Sequence, residues 1–395
     1  MSFNFSIWFL GFAVSMVLLN FVLYPGLLFV AQFFYHRKGQ QALAEDKKPE
    51  FVSFIIVAHN AEQLIVDKIN NILQLHSGRV RYEIIIYLDG CTDKTLEKVE
   101  AIVSDKLRII NEPCHLGKIT GLNKAVQVAQ GEVLIFTDVD ALFDKDILDI
   151  ILEPFKNPQC GGVCGQRIIR EKQQQLNIAQ QLYIDVDSYI KKLESYFGNI
   201  TSNDGKLYAV RRRLFQPIAD AVTDDLFSCL NIAEQSYHFV FEPRAKAYIP
   251  APSRHTQHEY SRRKRIITRS LNGIFLHRRL LNPFHYGLFA LGLLINKVFR
   301  RMLGSILLLS LVSSYFASSY SVWIMAFFYL QFAFYLIAIA YPLLLSRLDW
   351  KRGQIIIHIA SICWYFCLGN VATLAGVINF LSGKRVSKWV PQKHD

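Results

Sequence analysis

The run Phe51-Val-Ser-Phe-Ile-Ile-Val-Ala-His-Asn60 decides the fold. Residues 51–57 are apolar apart from Ser53 and rich in β-branched side chains. That composition reads as a strand buried on both faces, as in a parallel sheet covered by helices. Outward from it, Leu64, Ile65, Ile69, Ile72 and Leu73 recur at helical spacing. Residues 82–88 predict a second strand, and 92–103 a second helix with Thr92 as its N-cap. Residues 107–110 predict a short third strand. Residues 117–129 predict a third helix, closed by Gly131 near its C-cap, and 132–137 a fourth strand. Strands alternating with helices of this length predict an α/β domain, its sheet mostly parallel with helices on both faces.

In such sheets ligands bind beyond the carboxyl ends of the strands. The first strand ends at His59-Asn60, the second at Asp89-Gly-Cys-Thr-Asp93 and the fourth at Asp138-Val-Asp140. A single aspartate there is an ordinary helix cap. Several on one edge point to chemistry. Two carboxylates at i and i+2 can hold a hard divalent ion, which in turn bridges to substrate phosphates.

The rest of the chain belongs to a membrane. Of 395 residues, 52% are hydrophobic and only 19% charged, against about 25% charged in soluble domains. This excludes a disordered or fibrous chain. The first charged residue is Arg37, so residues 1–36 are expected to form an N-terminal transmembrane anchor; a cleaved signal would be shorter and preceded by positive charge. His36, Arg37 and Lys38 follow it, which places the next residues in the cytoplasm. No charge falls between Met302 and Ser346. Spans are expected near 302–318, 322–345 and 355–381, within a C-terminal membrane region of 302–395 that ends in a basic tail. Residues 283–301, interrupted by His285, Asn296, Lys297, Arg300 and Arg301, predict an amphipathic interfacial helix. One span before and three after the central domain would put the C-terminus outside, whereas a basic tail favours the inside. Residues 37–282 remain as one cytoplasmic globular domain, opened by a polar linker over 39–50.

The balance of 44 Lys+Arg to 32 Asp+Glu gives a formal charge of +12. Its visible clusters lie beside membrane segments without interleaved aromatics, so nucleic acid is not an expected partner. Arg262, Arg265 and Arg269 would share one helical face, suited either to anionic lipids or to a diphosphate. Five of the seven cysteines fall in the cytoplasmic part, where thiols stay reduced. Cys160 and Cys164 lack a second ligand pair at zinc spacing. His258-Glu259 is not a zinc motif, because its fifth position is Arg262, and no Walker-type phosphate loop occurs.

Six segments in order resemble the membrane-anchored family-2 glycosyltransferases, across roughly residues 52–270. Ser53 to Asn60 resembles the family's first strand and nucleotide loop, although Ala61 stands where the family often has Glu, with Glu62 nearby. Asp89-Gly-Cys-Thr-Asp-Lys-Thr95, Gly117-Lys-Ile-Thr-Gly-Leu-Asn123 and Thr137-Asp-Val-Asp140 resemble its aspartate turn, its lysine helix start and its D-x-D motif. Asn203 to Arg211 resembles its acceptor-side segment, and Thr223-Asp-Asp225 its catalytic acidic motif. The resemblance implies the GT-A fold flanked by membrane helices. It implies a nucleoside-diphosphate sugar donor, with UDP as the expected nucleotide, and Mg2+ or Mn2+. His59, Asn60 and Asp89 would line the nucleoside pocket, and Lys118 would neutralise the diphosphate. Asp138 and Asp140 would hold nucleotide and metal, with Asp140 the direct ligand. Arg262 and Arg265 would clamp phosphate.

The implied chemistry is a single inverting displacement. A cation and a lysine stabilise the departing diphosphate, and a carboxylate takes the acceptor hydroxyl's proton. Of Asp224 and Asp225, the last acid of the motif, Asp225, is the expected base. The acceptor would be lipid-linked or a saccharide, at the cytoplasmic face of the cell membrane, in cell-surface polysaccharide or glycolipid synthesis. A processive polysaccharide synthase is the alternative. Its Q-x-x-R-W motif is incomplete here, since Gln257-His-Glu-Tyr-Ser-Arg262 lacks the following aromatic. A nucleotidyltransferase or a non-catalytic membrane-tethered binding module would be the reading from another class.

Overall fold

The computed structural model describes residues 2–34, 48–170, 175–250, 256–343 and 354–384. Strands β1 (Phe51–Ala58), β2 (Arg81–Asp89), β3 (Leu107–Glu112), β4 (Val133–Phe136), β5 (Leu142–Phe143), β6 (Cys160–Ile169), β7 (Tyr208–Arg211) and β8 (His238–Ile249) form one sheet. Its order is β3-β2-β1-β4-β7-β6-β8-β5. The β3-β2-β1-β4 half is parallel throughout. Antiparallel β7 then joins it to β6, and β6 runs parallel to β8. This is the mostly parallel, helix-covered mixed sheet expected from the alternation.

The two-faced burial of β1 explains its apolar run. Successive strand side chains point to opposite faces. Phe54, Ile56 and Ala58 pack with Ile84, Ile86 and Leu88 under the helix Ile65–Leu73, through Ile65, Ile69 and Ile72. Ile55, Ile85, Tyr87 and Leu134 pack under the helix Lys118–Val128, through Ile119, Leu122 and Ala125. Each buried Leu, Ile or Phe among them contributes about 1.5–3 kcal/mol.

Two local expectations need correction. The second helix is only Thr95–Glu100 and begins at Thr95. Asp93 Oδ1 accepts from Thr95 N at 3.0 Å, while Thr92 is held by Asn60. Gly131 is not a helix cap. A Cβ there would lie 2.5 Å from Ser53 N, so glycine is required because the chain passes against β1.

Among the described residues, four helical runs are long and apolar enough to cross a membrane: Phe5–Phe34, Pro283–Tyr320, Val322–Leu343 and Ile356–Leu381. The first contains a π-helical turn, Leu19–Leu23, ahead of Pro25, which has no N–H to give the helix ladder. Residues 283–301 kink at Gly287, where φ is +53°, and then pass through a π-helical stretch, Leu293–Val298, and a 3-10 turn, Phe299–Met302, into the helix Leu303–Ala317. The 38-residue run exceeds the roughly 20 residues that a bilayer core takes. Part of the amphipathic face of 283–301 is spent on protein, with Leu293 packed against Leu226, Leu230 and Ile274. The flanking charges at 36–38, most of the 39–50 linker, the 347–352 loop and the basic tail beyond 384 lie outside the described residues.

The helix Gln354–Leu381 is clasped to the arginine-bearing helix Thr256–Leu276. Thr268, in the helix Thr256–Leu276, donates to the carbonyl of Gly376 at 3.1 Å. Gly369 and Gly376 lie against Arg263 and Ile267, where a Cβ would come within 2.8 Å of each.

Candidate active site

The carboxyl ends of β1, β2 and β4 meet at one edge, as the parallel register requires. Asp89, at the end of β2, is buried. Its carboxylate accepts from Leu116 N at 2.7 Å and Gly117 N at 2.9 Å, and His115 Nδ1 lies 2.9 Å away. It thereby fixes the turn that starts the Lys118 helix. His59 Nδ1 donates to the Asp89 carbonyl at 2.5 Å, and the His59 and His115 rings lie 4.1 Å apart. Gly90 has φ +62°, and a Cβ there would sit 2.4 Å from His115 N.

Asn60 also adopts a left-handed φ of 51°. Its Oδ1 accepts from Thr92 N at 2.8 Å. Glu62 accepts from Lys94 N at 3.2 Å, and Ala61 N donates to Thr95 Oγ1. The 59–62 and 92–95 segments therefore form one laced wall beside Asp89.

Next to this wall stands an alternating chain of charges. Asp140 accepts two 2.8 Å bonds from Lys206 Nζ, which lies 3.0 Å from Asp138 Oδ2. Asp138 Oδ1 is 2.9 Å from Lys118 Nζ, which is 3.0 Å from Asp224 Oδ2. Burial works against the Lys118 charge, but Asp138 and Asp224 outweigh it and hold its pKa above the ordinary value. Burial likewise opposes ionisation of Asp138, yet Lys118 and Lys206 pull its pKa well down. Lys206 is raised to about 12, since Asp138 and Asp140 exceed the cost of its burial.

Asp225 lies at the start of the helix Asp224–Glu234. Desolvation, then the neighbouring Asp224 carboxylate, push its pKa up to about 6, despite a 2.7 Å bond from Leu226 N. Asn203 Nδ2 donates to the Asp225 carbonyl at 2.9 Å, and Gly205 abuts its carboxylate. The 203–205 segment is thus built against the motif that carries the expected base.

The arginine helix divides its labour. Arg269 Nε donates to the Val222 carbonyl at 2.8 Å, bracing the 223–225 motif. Arg262 forms bonds of 2.8–3.1 Å to buried Glu259, which also pairs with Arg263 and takes a hydrogen bond from Tyr365. Burial, then Arg269 and Arg262, lower Arg265 to about 10.

Two lysines escaped the sequence reading. Lys206 lies in the Asn203–Arg211 segment, far in sequence from its acidic partners. Lys68 is fully buried, donates to Thr137 Oγ1 at 2.9 Å and to the Ala141 carbonyl, and lies over the Phe143 ring. It pins the turn that carries Asp138 and Asp140. The signal was its place on the apolar stripe of Ile65, Ile69 and Ile72, where a lysine is costly to bury unless it has polar partners. Cys160 and Cys164 are buried in β6, and burial pushes both thiols up to about 12, so they are unreactive.

The acidic pair suits a hard cation. Three oxygens of Asp138 and Asp140 converge within 3.0 Å of one ammonium nitrogen. Two protein carboxylates leave room for phosphate oxygens, the usual arrangement for Mg2+ at phosphate sites.

Residues 53–218 match the family model of Glycosyl transferase family 2. That range contains Asp89, Lys118, Asp138, Asp140 and Lys206 but ends before Asp224. A beta-monoglucosyldiacylglycerol synthase of Nostoc sp. is 26% identical over 185 residues, covering 45% of this chain and 40% of that protein. A dolichyl-phosphate beta-glucosyltransferase of Mus musculus is 29% identical over 173 residues, covering 38% and 52%. The chain thus matches about half, or less, of the length of these relatives. Among solved structures, the mannosyltransferase PcManGT from Pyrobaculum calidifontis, in complex with GDP-Man and Mn2+, superposes with a TM-score of 0.67 at 19% identity. The match covers 95% of this chain and 99% of that one and shows a shared fold.

Proposed function

The chain carries a glycosyl transferase family 2 domain over residues 53–218, and on that premise we propose that it moves one sugar from a UDP-linked donor to a lipid-linked acceptor by inverting transfer at the cytoplasmic membrane face. The observation that carries this reading is the placement of Asp225. A partly buried carboxylate with its pKa raised to about 6 stands beside the acidic–lysine chain at the carboxyl edge of the sheet. A base poised near the working pH is what deprotonation of a hydroxyl needs.

Each residue has a task. Asp225 accepts the proton of the acceptor hydroxyl as its oxygen bonds the anomeric carbon. The carbon–oxygen bond to the diphosphate breaks on the opposite side, which inverts the centre. Lys118 supplies fixed positive charge where the leaving group gains negative charge. Asp89, through the 115–117 turn, sets the position of Lys118. His59 and Asn60, on the laced wall, bound the nucleoside end. Asp140 and Asp138 would hold Mg2+ or Mn2+, whose chemistry there is further charge stabilisation of the diphosphate. Arg269, bonded to the Val222 carbonyl, braces the 223–225 motif, and Arg262 and Arg265 on the same helix would meet a phosphate of the donor or of a lipid acceptor's headgroup. The helices that pack on the domain, and relatives that include a monoglucosyldiacylglycerol synthase, support a glycolipid product over a free sugar.

The test is turnover by the full chain in detergent or lipid with radiolabelled UDP- and GDP-sugars and a panel of lipid acceptors, resolved by thin-layer chromatography. The expected result is a lipid-soluble product carrying one sugar from a UDP donor. A ladder of long polymer, or transfer from no donor, overturns the proposal.

A further inference from the structure

We infer that Lys206 is a resident counter-cation of the Asp138–Asp140 pair, occupying with its ammonium the position a divalent metal takes and leaving by side-chain rotation when metal and diphosphate enter together. The inference rests on the metal reading above and adds a gating role to a residue that reading did not use.

The geometry carries it. An ammonium has three hydrogens to donate. Lys206 Nζ has three carboxylate oxygens around it, two of Asp140 at 2.8 Å and one of Asp138 at 3.0 Å. A metal bound by the same oxygens would stand about 2.0–2.6 Å from them. It would then lie almost on the nitrogen, so the two cations exclude each other.

The backbone at Lys206 is fixed independently of its side chain. Its carbonyl accepts from Thr137 Oγ1 at 2.9 Å, and its N–H donates to Asp204 Oδ1 at 3.1 Å. Thr137 is in turn held by buried Lys68, and Asp204 pairs with Arg167 at 3.2 Å. The side chain is about one-fifth exposed, so it can swing outward while the 203–206 segment keeps its hold on Asp225. Lys118 differs: it touches only one oxygen of Asp138 and is anchored on its far side by Asp224.

Displacement makes bare metal a poor ligand. A metal arriving alone must break three charge-assisted bonds and leave an ammonium beside it. A metal arriving with a diphosphate gives that ammonium a new anionic partner. Lys206 therefore couples metal affinity to nucleotide.

The experiment titrates Mn2+ alone into the full-length protein, following free Mn2+ by electron paramagnetic resonance, then repeats the titration with UDP. For the wild type, UDP should tighten Mn2+ binding at least tenfold. Lys206→Met should bind Mn2+ alone at least tenfold more tightly than the wild type and lose most of the UDP effect. Lys206→Arg, which keeps the charge, should stay near the wild type. Lys118→Met removes an equal charge nearby without touching Asp140, and should shift bare Mn2+ binding far less than Lys206→Met. Equal shifts from the two lysines, or no shift from Lys206→Met, overturn the displacement role while leaving the metal reading standing. Absence of Mn2+ binding to the wild type with and without UDP overturns both. Circular dichroism on each variant shows that the comparison is between folded proteins, and Asp140→Asn is the control that should abolish binding.

Discussion

Lys118 and Asp224 form an ion pair of 3.0 Å that joins the first residue of a helix behind the sheet edge to the first residue of the helix carrying the expected base. The same ammonium reaches Asp138 at 2.9 Å. One side chain thus ties the Asp138–Asp140 pair to the Asp224–Asp225 pair. Lys118→Met should lower kcat by about 10²–10³, the usual cost of removing one group that stabilises developing charge. KM for the donor should rise by less. A loss confined to KM would assign Lys118 to uniform binding instead.

The raised pKa of Asp225 gives activity a direction with pH. The carboxyl must be ionised to accept a proton, so kcat should rise as pH passes through about 6 and then level off. Asp225→Asn should lose turnover while retaining donor binding. Stability should run the opposite way. The native pKa lies above the ordinary 3.8, so the stabilisation from keeping this group protonated is complete below that value and lost as pH rises through 6. At pH 8 Asp225→Asn should therefore be more stable than the wild type, by about 1–3 kcal/mol. Thermal unfolding at pH 5 and pH 8 checks both signs, and equal stability of the two proteins at pH 8 would refute the burial argument.

Gly131 supplies a packing test. Its Cβ would meet the backbone of Val52 and Ser53 at 2.5 Å, and backbone in a central strand cannot give way. Gly131→Ala should destabilise the domain by about 2–3 kcal/mol, at the upper end of overpacking costs. Thermal unfolding measures it. A loss under about 0.5 kcal/mol would mean that the approach to β1 relaxes freely.

The same glycine shows where sequence reasoning stops. Period and composition found β1, β2, β3 and β4 within one or two residues, because burial on two faces leaves an apolar run. Strand-end aspartates were visible because polar groups interrupt those runs at a fixed place. Gly131 resembles a helix cap by position alone, since a close approach between distant segments leaves no local pattern. Lys206 was hidden for the same reason: its partners, Asp138 and Asp140, come from another strand end. Lys68 was legible in principle, being a charge on an apolar stripe, yet the five surrounding apolar positions dominated the reading. The 283–301 segment had the right amphipathicity, but one sequence cannot say whether an apolar face meets lipid or protein.

The link between the anchor and the domain is open to a coupling measurement. Tyr24, in the first membrane-capable run, donates to Glu194 Oε1 at 2.6 Å. Glu194 also accepts from Thr201 N and Oγ1, each at 2.7 Å, and Asn296 Nδ2 donates to Thr201 Oγ1 at 2.9 Å. All four residues are buried. Thr201 lies two positions before Asn203, which holds the Asp225 backbone. Removing one donor from a buried carboxylate leaves it undersatisfied, at a cost of about 1–3 kcal/mol. Tyr24→Phe should therefore lower stability by that amount and reduce kcat as the 201–203 segment loosens. Glu194→Gln keeps the shape but weakens the bond from Tyr24. If the two residues act as a pair, the double variant should lose less than the sum of the singles, with a coupling of about 0.5–2 kcal/mol. Strict additivity in a double-mutant cycle would mean that anchor and domain are merely adjacent, and that the Tyr24 phenol contributes nothing through Glu194 to the placement of the base.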